Sequence, residues 1–540
     1  MNAKPTGIAT RLSAIVGHDF IILDHEGLAP YSRATFATTN SPLLVVKPDS
    51  TVQVQDIVRI AGEENIPVYP IGRGCNWGLG SKVPLKTGAI IIDFSRMNRI
   101  HKFSEEQGFI QVEPGVTFQQ VTEYLKEHES KLFLSVIGGH PYSSIIGNTL
   151  ERGDGLGPLG DRARFVCDLE VVLADGTKIA TGLSNFCSSD LASCAKDPIG
   201  PSLDGLFFQS NLAIVTRMTV WLQRQAHEFT SGLVTFSNNA QLERAIPSLR
   251  MLQEQGVIKG NCLAIWNIYK VIAAIGQHPL LTNQTESSVA ATCLNEQNLS
   301  QHLPAGLKNV RWLVTFGLYA ATNAHMKADC RLVKKLLKPH ALKTVLITKR
   351  LAWTGRLLSK PVSIILGFNL KPWLDAFYYR SVFRGHTTEL SIRSIYWRKP
   401  GAIPDKPDPD ADRCGLLWLC HLVPNTPNNL TEASKLSERI CSDYGLEANI
   451  AYLNTSERYF RMFIALMYDR DIAGADSNAL SCQNELQTIL NKVGYSSYRL
   501  GLQSMQTAIP NDNEYKKTIN KIKRALDPNN IIAPGHYDFS

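Results

Sequence analysis

The stretch PVYPIGRGCNWGLGSKVP, residues 67–84, sets four glycines and an arginine between two runs that read as strands. Glycine loses more conformational freedom on ordering than any other residue. A cluster therefore marks backbone held in left-handed geometry, or backbone brought close to something. Phosphate is the usual something, because successive amides in a loop can form an anion nest without a helix. Taken alone, the loop leaves a purely structural glycine-rich connection open as the alternative. A nicotinamide-type Rossmann site fits poorly: it needs a third glycine where Trp77 stands and a helix directly after the loop. Here SKVPLKTGAIIIDF, residues 81–94, runs through a proline into another strand. Asp93 lies at the distance of a ribose-binding acid but lacks that helix.

Outward from the loop, short strands alternate with helices. LLVVKP (43–48), IPVYPIG (66–72), GAIIIDFS (88–95) and GFIQVEPG (108–115) read as strands. STVQVQDIVRIAGEEN (50–65) reads as a helix capped by Ser50, with Val54, Ile57, Val58 and Ala61 on one face, and residues 116–129 read as another. CDLEVVLADGTKIATG (167–182) is a hairpin turning at Ala-Asp-Gly-Thr. From about residue 226 the periods lengthen, and KPGAIPDKPDPDAD (399–412) is a loop within this second region. The last stretch, LDPNNIIAPGHYDFS (526–540), ends a helix at Asp527-Pro528 and carries an apolar tail expected to dock on the body. The fold class expected is α+β.

A chain of 540 residues with 44% hydrophobic content buries a large core and divides into two or more domains. A net charge of +8 is mild at this size and does not point to nucleic acid. The eleven cysteines form no CxxC pair, so neither a zinc site nor a disulfide framework is expected, and no metal is assigned. The amino terminus lacks the pattern of a secretory signal, and no apolar run reaches the roughly 18 residues of a membrane span. A cytoplasmic protein is the expectation.

Two more glycine-dense regions follow the first: VIGGHPYSSIIGNTLERGDGLGPLGD (136–161) and LDGLFFQSNLAIVTRMTVWL (203–222). With these in view the chain resembles the vanillyl-alcohol oxidase and p-cresol methylhydroxylase family of flavoproteins. The resemblance covers nearly the whole chain, through VEPGVTFQQV, IIGNTLERGDG, LEVVLADGT, DGLFFQSNLAIVT, SIRSIYWRKP, ERYFRMFIALMYDRD, GYSSYRLG and DPNNIIAPG, in that order. It implies a two-subdomain FAD-binding domain over residues 1–225 with its core at 38–224. A cap covering the isoalloxazine would span 226–489, and a segment over 490–540 would return to the first domain.

The resemblance also implies roles. Gly72, Arg73, Gly74, Cys75, Asn76, Gly78 and Gly80 would lay their amides against the FAD pyrophosphate. Gly139, His140, Ser144, Gly147, Asn148, Glu151, Gly153 and Gly155 would wrap flavin and diphosphate, and Ile214 would meet the adenine end. Tyr498 and Arg499 match a Tyr-Arg pair that helps hold substrate as phenolate in relatives acting on phenols, and Arg499 would also face the reduced flavin. A surface pair is the bland reading of that dipeptide. Two further phenol-binding tyrosines of the family fall at Leu79 and Leu156, and its acid over the flavin is missing before Ser144. His140 is the replacement base by its pKa range, or else a flavin contact or a structural histidine. The covalent flavin anchor falls at Leu416, with His421 five positions on, so the FAD is expected to be non-covalent.

From Arg331 to Trp373 there are ten Lys or Arg residues and no Asp or Glu. Solvated helix faces explain this, or contact with an acidic electron-accepting protein or an anionic membrane surface. Relatives associate, so self-association stays open. The function expected is an FAD-dependent oxidase or dehydrogenase removing hydride from an aromatic or conjugated alcohol, amine or C–H substrate. A catalytically degenerate flavin carrier is the alternative.

Overall fold

Ile90, Ile91 and Ile92 form an unbroken β-branched run, as a strand buried on both faces requires. In the computed structural model they form the strand Ile90–Asp93, flanked in parallel by Leu44–Val46 on one side and Val68–Ile71 on the other. The structure describes residues 5–282, 293–294, 296–303, 305–359, 371, 374–505 and 514–537. Helix Thr51–Glu63 connects the first two of these parallel strands and buries Val54, Ile57, Val58 and Ala61, the face its periodicity marks. Ser50 occupies its cap position, but the Ser50 side chain makes no capping bond.

A second sheet is antiparallel, in the order Ile100–Ser104, Phe109–Val112, Ile214–Trp221, Val166–Val172, Lys178–Ala180. The last two strands form the hairpin, and Gly176 takes the left-handed turn at φ +78°. The two sheets form the two-subdomain arrangement that the resemblance implies.

The third sheet has eight antiparallel strands: Lys343–Ile347, Glu228–Phe236, Trp312–Ala320, Ile258–Asn267, Asn449–Leu453, Tyr459–Asp469, Cys414–Pro424 and Ser497–Arg499. One face packs with helices Asn239–Glu254, Asn323–Leu337, Pro427–Asp443 and Ala475–Lys492 in the largest apolar core. The other face, with helices Ile268–Ile275 and Leu390–Ile395, forms a separate apolar cluster that includes Trp77 of the glycine loop. This sheet is the cap. Its edge strand Ser497–Arg499 carries the Tyr-Arg pair before the chain turns back; Arg499 lines the central cavity, and Tyr498 is not among the residues that line it.

The return itself is anchored twice. Ile532 bridges to Val68, with Val68 N donating to Ile531 O at 2.8 Å. The buried Lys523 ammonium donates to Asp527 at 2.6 Å and to Asn211 O at 2.7 Å, while Asp527 accepts the amides of Ile531 and Ile532. All eleven cysteines are free. Among the described residues no cluster of His, Cys, Asp and Glu could hold a metal, and no helix is long and apolar enough to cross a membrane. Within the basic segment, residues 360–370 and 372–373 lie outside the described residues. Helix Lys349–Leu357 leaves Trp353 62% and Leu357 69% exposed.

Candidate active site

The loop after Val68–Ile71 takes its shape from Gly74 (φ +68°), Gly78 (φ +77°) and Gly80 (φ +148°), a region L-residues avoid. Space is equally tight. A Cβ on Gly72 would stand 2.6 Å from Ser144 Cβ, one on Gly80 would stand 2.5 Å from Leu502 Cγ, and one on Gly78 would run into Trp418 Cδ1. The bareness expected to serve phosphate therefore serves packing first. It lets the loop lie flat against the second glycine block, the cap strand Cys414–Pro424 and the returning segment.

The inner side of that loop lines a cavity of about 1920 Å³, well beyond the 300–1,000 Å³ of common ligand sites and large enough for a dinucleotide together with a substrate. Gly72, Arg73, Gly74, Cys75, Asn76, Gly80, Gly139, His140, Ser144, Gly147, Asn148, Glu151, Ile214 and Arg499 all line it. Gly78, Gly153 and Gly155 are buried behind the wall. Two side chains of the second block have partners of their own: Ser144 Oγ donates to Pro114 O at 2.6 Å and accepts from Gly147 N at 2.9 Å, capping Ile145–Leu150. Asn148 Oδ1 accepts from Arg162 Nε at 2.8 Å. What these residues can offer a ligand is mainly backbone. Glu151 accepts from His536 at 2.9 Å; burial opposes its charge, but His536, Arg499 and Tyr537 outweigh this and hold the carboxyl below its ordinary pKa.

Among buried polar atoms of the described residues without a partner, three belong to residues of this wall, His140 Nδ1, Ser391 Oγ and Arg499 Nε. Orphaned groups of this kind are costly unless a ligand satisfies them. Together with the cavity's size and the bare amides, they fit FAD. Burial lowers the pKa of His140, so the ring is neutral near pH 7 and can take either role in a hydrogen bond. Arg499 Nη2 donates to Asn76 Oδ1 at 2.9 Å, tying the cap's edge strand to the glycine loop.

An acid does stand at the site, although not where the family pattern places one. Asp154 lies on the cavity wall. Tyr498 donates its hydroxyl proton to Asp154 Oδ2 at 3.2 Å, and Asp154 Oδ1 is paired with Arg461. Arg461 also reaches Asp161 at 3.1 Å, and its guanidinium lies 5.1 Å from the Tyr498 ring centre. Burial raises Asp154 above the ordinary carboxylate range despite Arg461, and burial with the nearby Asp154 charge pushes Tyr498 well above the ordinary phenol. Tyr498 thus stays protonated, and its oxygen is free only to accept. Sequence reading took the flanking Gly153 and Gly155 and passed over Asp154 between them. The signal was an acid inside a glycine block otherwise devoted to backbone.

From the loop's own Trp77 across to the cap sheet, the wall is aromatic. Trp77 meets His140 edge-on at 5.2 Å, and Trp418 meets Phe463 edge-on at 6.4 Å. Trp266 gives its indole N–H to Thr315 Oγ1 at 3.1 Å. Along Cys414–Pro424 the cavity-facing residues are Leu416, Trp418 and Cys420, while Leu417 and Leu419 point into the outer core, as strand alternation demands. His421 shares that outer parity, is fully buried, and contacts Ser497 Oγ at 3.1 Å.

The loop is also held from outside. Asp410, in the Pro/Asp-rich segment, accepts from Trp77 Nε1 at 3.1 Å and from Ser81 Oγ at 2.8 Å. Burial raises its pKa to about 7, so the native state keeps a proton that the unfolded chain has lost above pH 4. The proton excess lies on the native side, and stability accordingly falls as pH rises, by about 1.4 kcal/mol between pH 6 and pH 8. Urea midpoints across that range should show the decline in the wild type, and Asp410→Asn should flatten it.

Comparison with known proteins agrees with this geometry. The FAD binding domain family matches residues 42–182. The chain is 37% identical to 1'-carboxy-chondrochloren decarboxylase of Chondromyces crocatus over 100% of this chain and 98% of that protein. It is 27% identical to the 4-cresol dehydrogenase (hydroxylating) flavoprotein subunit of Pseudomonas putida over 97% and 94% of the two. Among solved structures, substrate-bound p-cresol methylhydroxylase superposes with a TM-score of 0.86 at 24% identity, covering 98% of this chain and 96% of that one. The 4-ethylphenol oxidase from Gulosibacter chungangensis in complex with isoeugenol gives 0.85 at 22% identity, covering 99% and 97%.

Proposed function

The chain belongs to the p-cresol methylhydroxylase-type family of FAD-dependent oxidoreductases, and from that premise we propose that it removes hydride from a carbon bonded to an aromatic or conjugated system. The observation that carries this reading is the aromatic chamber of Trp77, His140, Trp266, Trp418 and Phe463, set between the glycine loop and the cap sheet. Rings of this kind orient a flat substrate by stacking and edge contacts. FAD, when bound, supplies the hydride acceptor. The chain's own part is to hold the reacting carbon in place, exclude water and place the Arg499 guanidinium where negative charge develops.

The relative at 37% identity is named for a carboxylated compound and its decarboxylation, and this favours a substrate bearing a carboxylate one carbon from the oxidised position. The balance is simple: with bound FAD as the acceptor, the substrate would lose hydride from one carbon, the electron pair of the neighbouring C–CO₂ bond would become the new C=C bond, and CO₂ would depart. Anaerobic mixing of the yellow protein with benzylic alcohols, benzylic amines and arylpropanoates, with CO₂ trapped, tests both parts. Bleaching by at least one class is expected. A flavin that light reduces but no member of the panel does would favour the carrier reading instead.

The FAD is proposed to be held without a covalent bond. Leucine at 416 offers no nucleophile, His421 lies on the far face of its strand, and burial pushes the Cys420 thiol up to about 12, so it stays protonated. Acid precipitation should leave a colourless pellet with all flavin in the supernatant. A yellow pellet would refute this. Electron exit to an acidic carrier would use the basic segment near Lys349, Arg350 and the exposed Trp353; reduction of such a carrier should then slow as salt is raised.

A further inference from the structure

Helix Ile268–Ile275 reads IYKVIAAI and carries a single charge, Lys270, in its first turn. That end of a helix disfavours cations, and Ile268, Tyr269, Val271, Ile272 and Ala273 around it are buried. The Lys270 ammonium lies 4.7 Å from the ring centre of Trp418, and both residues line the cavity. Among the described residues no carboxylate pairs with it and no acceptor satisfies its side-chain N–H groups. Burial lowers its pKa to about 8, with no neighbouring charge to offset the effect. An indole face holds an ammonium by its quadrupole without consuming donors. All three N–H groups of Lys270 thus remain for a ligand.

Arg380 and Arg393 line the same cavity, and three further cations nearby are already engaged. Arg499 is tied to Asn76, Arg461 holds Asp154 and Asp161, and Arg73 gives Nη1 to Ser95 O at 3.3 Å. What sets Lys270 apart is its seat on the Trp418 ring, and its cost in isolation is removed once an anion enters.

We propose that Lys270, seated on Trp418, is the anchor for the carboxylate of an aromatic substrate and sets the enzyme's preference for acids over their neutral analogues. This rests on the reading above that the chamber holds an aromatic substrate beside the flavin. A carboxylate at Lys270 lies beside Trp418 and leaves the aromatic ring to the neighbouring Phe463, whose ring centre is 6.4 Å from that of Trp418. Arginine at 270 would keep the charge but spread it over a planar fork, so it should restore part of the function.

The test uses the FAD-loaded protein and two probes of equal shape, hydrocinnamate and hydrocinnamamide, with dissociation constants read from perturbation of the flavin absorbance. The wild type should bind the acid more tightly than the amide. Lys270→Met should weaken the acid roughly 10- to 100-fold, the loss expected for a charged hydrogen bond, and leave the amide nearly unchanged. Lys270→Arg should recover much of the loss. Removing a buried unpaired cation does not threaten folding, and the FAD content of each variant checks this. Equal binding of acid and amide by the wild type, or an acid affinity indifferent to Lys270→Met, overturns the anchor while leaving the aromatic chamber standing. Failure of both probes to bind overturns the chamber reading and the anchor with it.

Discussion

Replacing Arg499 with alanine should cut the rate of anaerobic flavin reduction roughly 100- to 1000-fold while the protein stays yellow. Arg499 lies in the cavity wall with Nε unpartnered and Nη2 on Asn76, so part of its hydrogen-bonding capacity is aimed at a ligand. With FAD bound, a fixed guanidinium in this site would stabilise negative charge developing on the flavin and would need no reorganisation to do so. That interaction exists in the transition state and not before it. The loss should therefore fall on the limiting reduction rate, with little change in the substrate concentration at half-saturation. Arg499→Lys should recover some of the rate, because the charge survives even though the fork does not. Stopped-flow absorbance measures both parameters. Unchanged reduction in the alanine variant would remove Arg499 from the chemistry and leave it as a strut between Asn76 and the cap.

The glycine loop and the antiparallel hairpin were legible because their signals are local. A positive φ at Gly74 or Gly176 is demanded within four residues of sequence, and the run Ile90–Ile92 announces a doubly buried strand by composition alone. The cofactor blocks were legible as well, since the residues that form the near wall sit in a few contiguous stretches. What stayed hidden depends on long-range meetings. Asp154 between two glycines reads as a turn residue until Arg461, 307 positions on, and Tyr498, 344 positions on, fold against it. Lys270 reads as the solvent-facing position of a short helix until the cap sheet lays that helix over the cavity. The reason for the glycines was legible only in part. Crowding by Ser144, Trp418 and Leu502 comes from three distant parts of the chain, and no spacing within the loop reveals it.

Arg461→Leu should destabilise the protein by about 3–5 kcal/mol, the loss typical of a buried ion pair broken from one side. Arg461 is 7% exposed and holds two carboxylates, Asp154 and Asp161, which repel each other once it is gone. Desolvation was offset by that guanidinium; without it, one or both acids must take up a proton to remain inside. The effect should be asymmetric. Asp154→Asn keeps Arg461 paired with Asp161 and still accepts from Tyr498, so it should cost far less than Arg461→Leu. The double variant should recover much of the loss, because Asp161 alone carries one charge and lies nearer the loop surface beside Arg164 at 2.9 Å. A double-mutant cycle in urea, followed by flavin release and by far-ultraviolet dichroism, measures the coupling. Additive losses would mean that Arg461 supports the cap through packing on Tyr498 and Phe463, and that the pair with Asp154 contributes little. A large coupling would place the Tyr498 hydroxyl, through Asp154, under the control of a single buried cation.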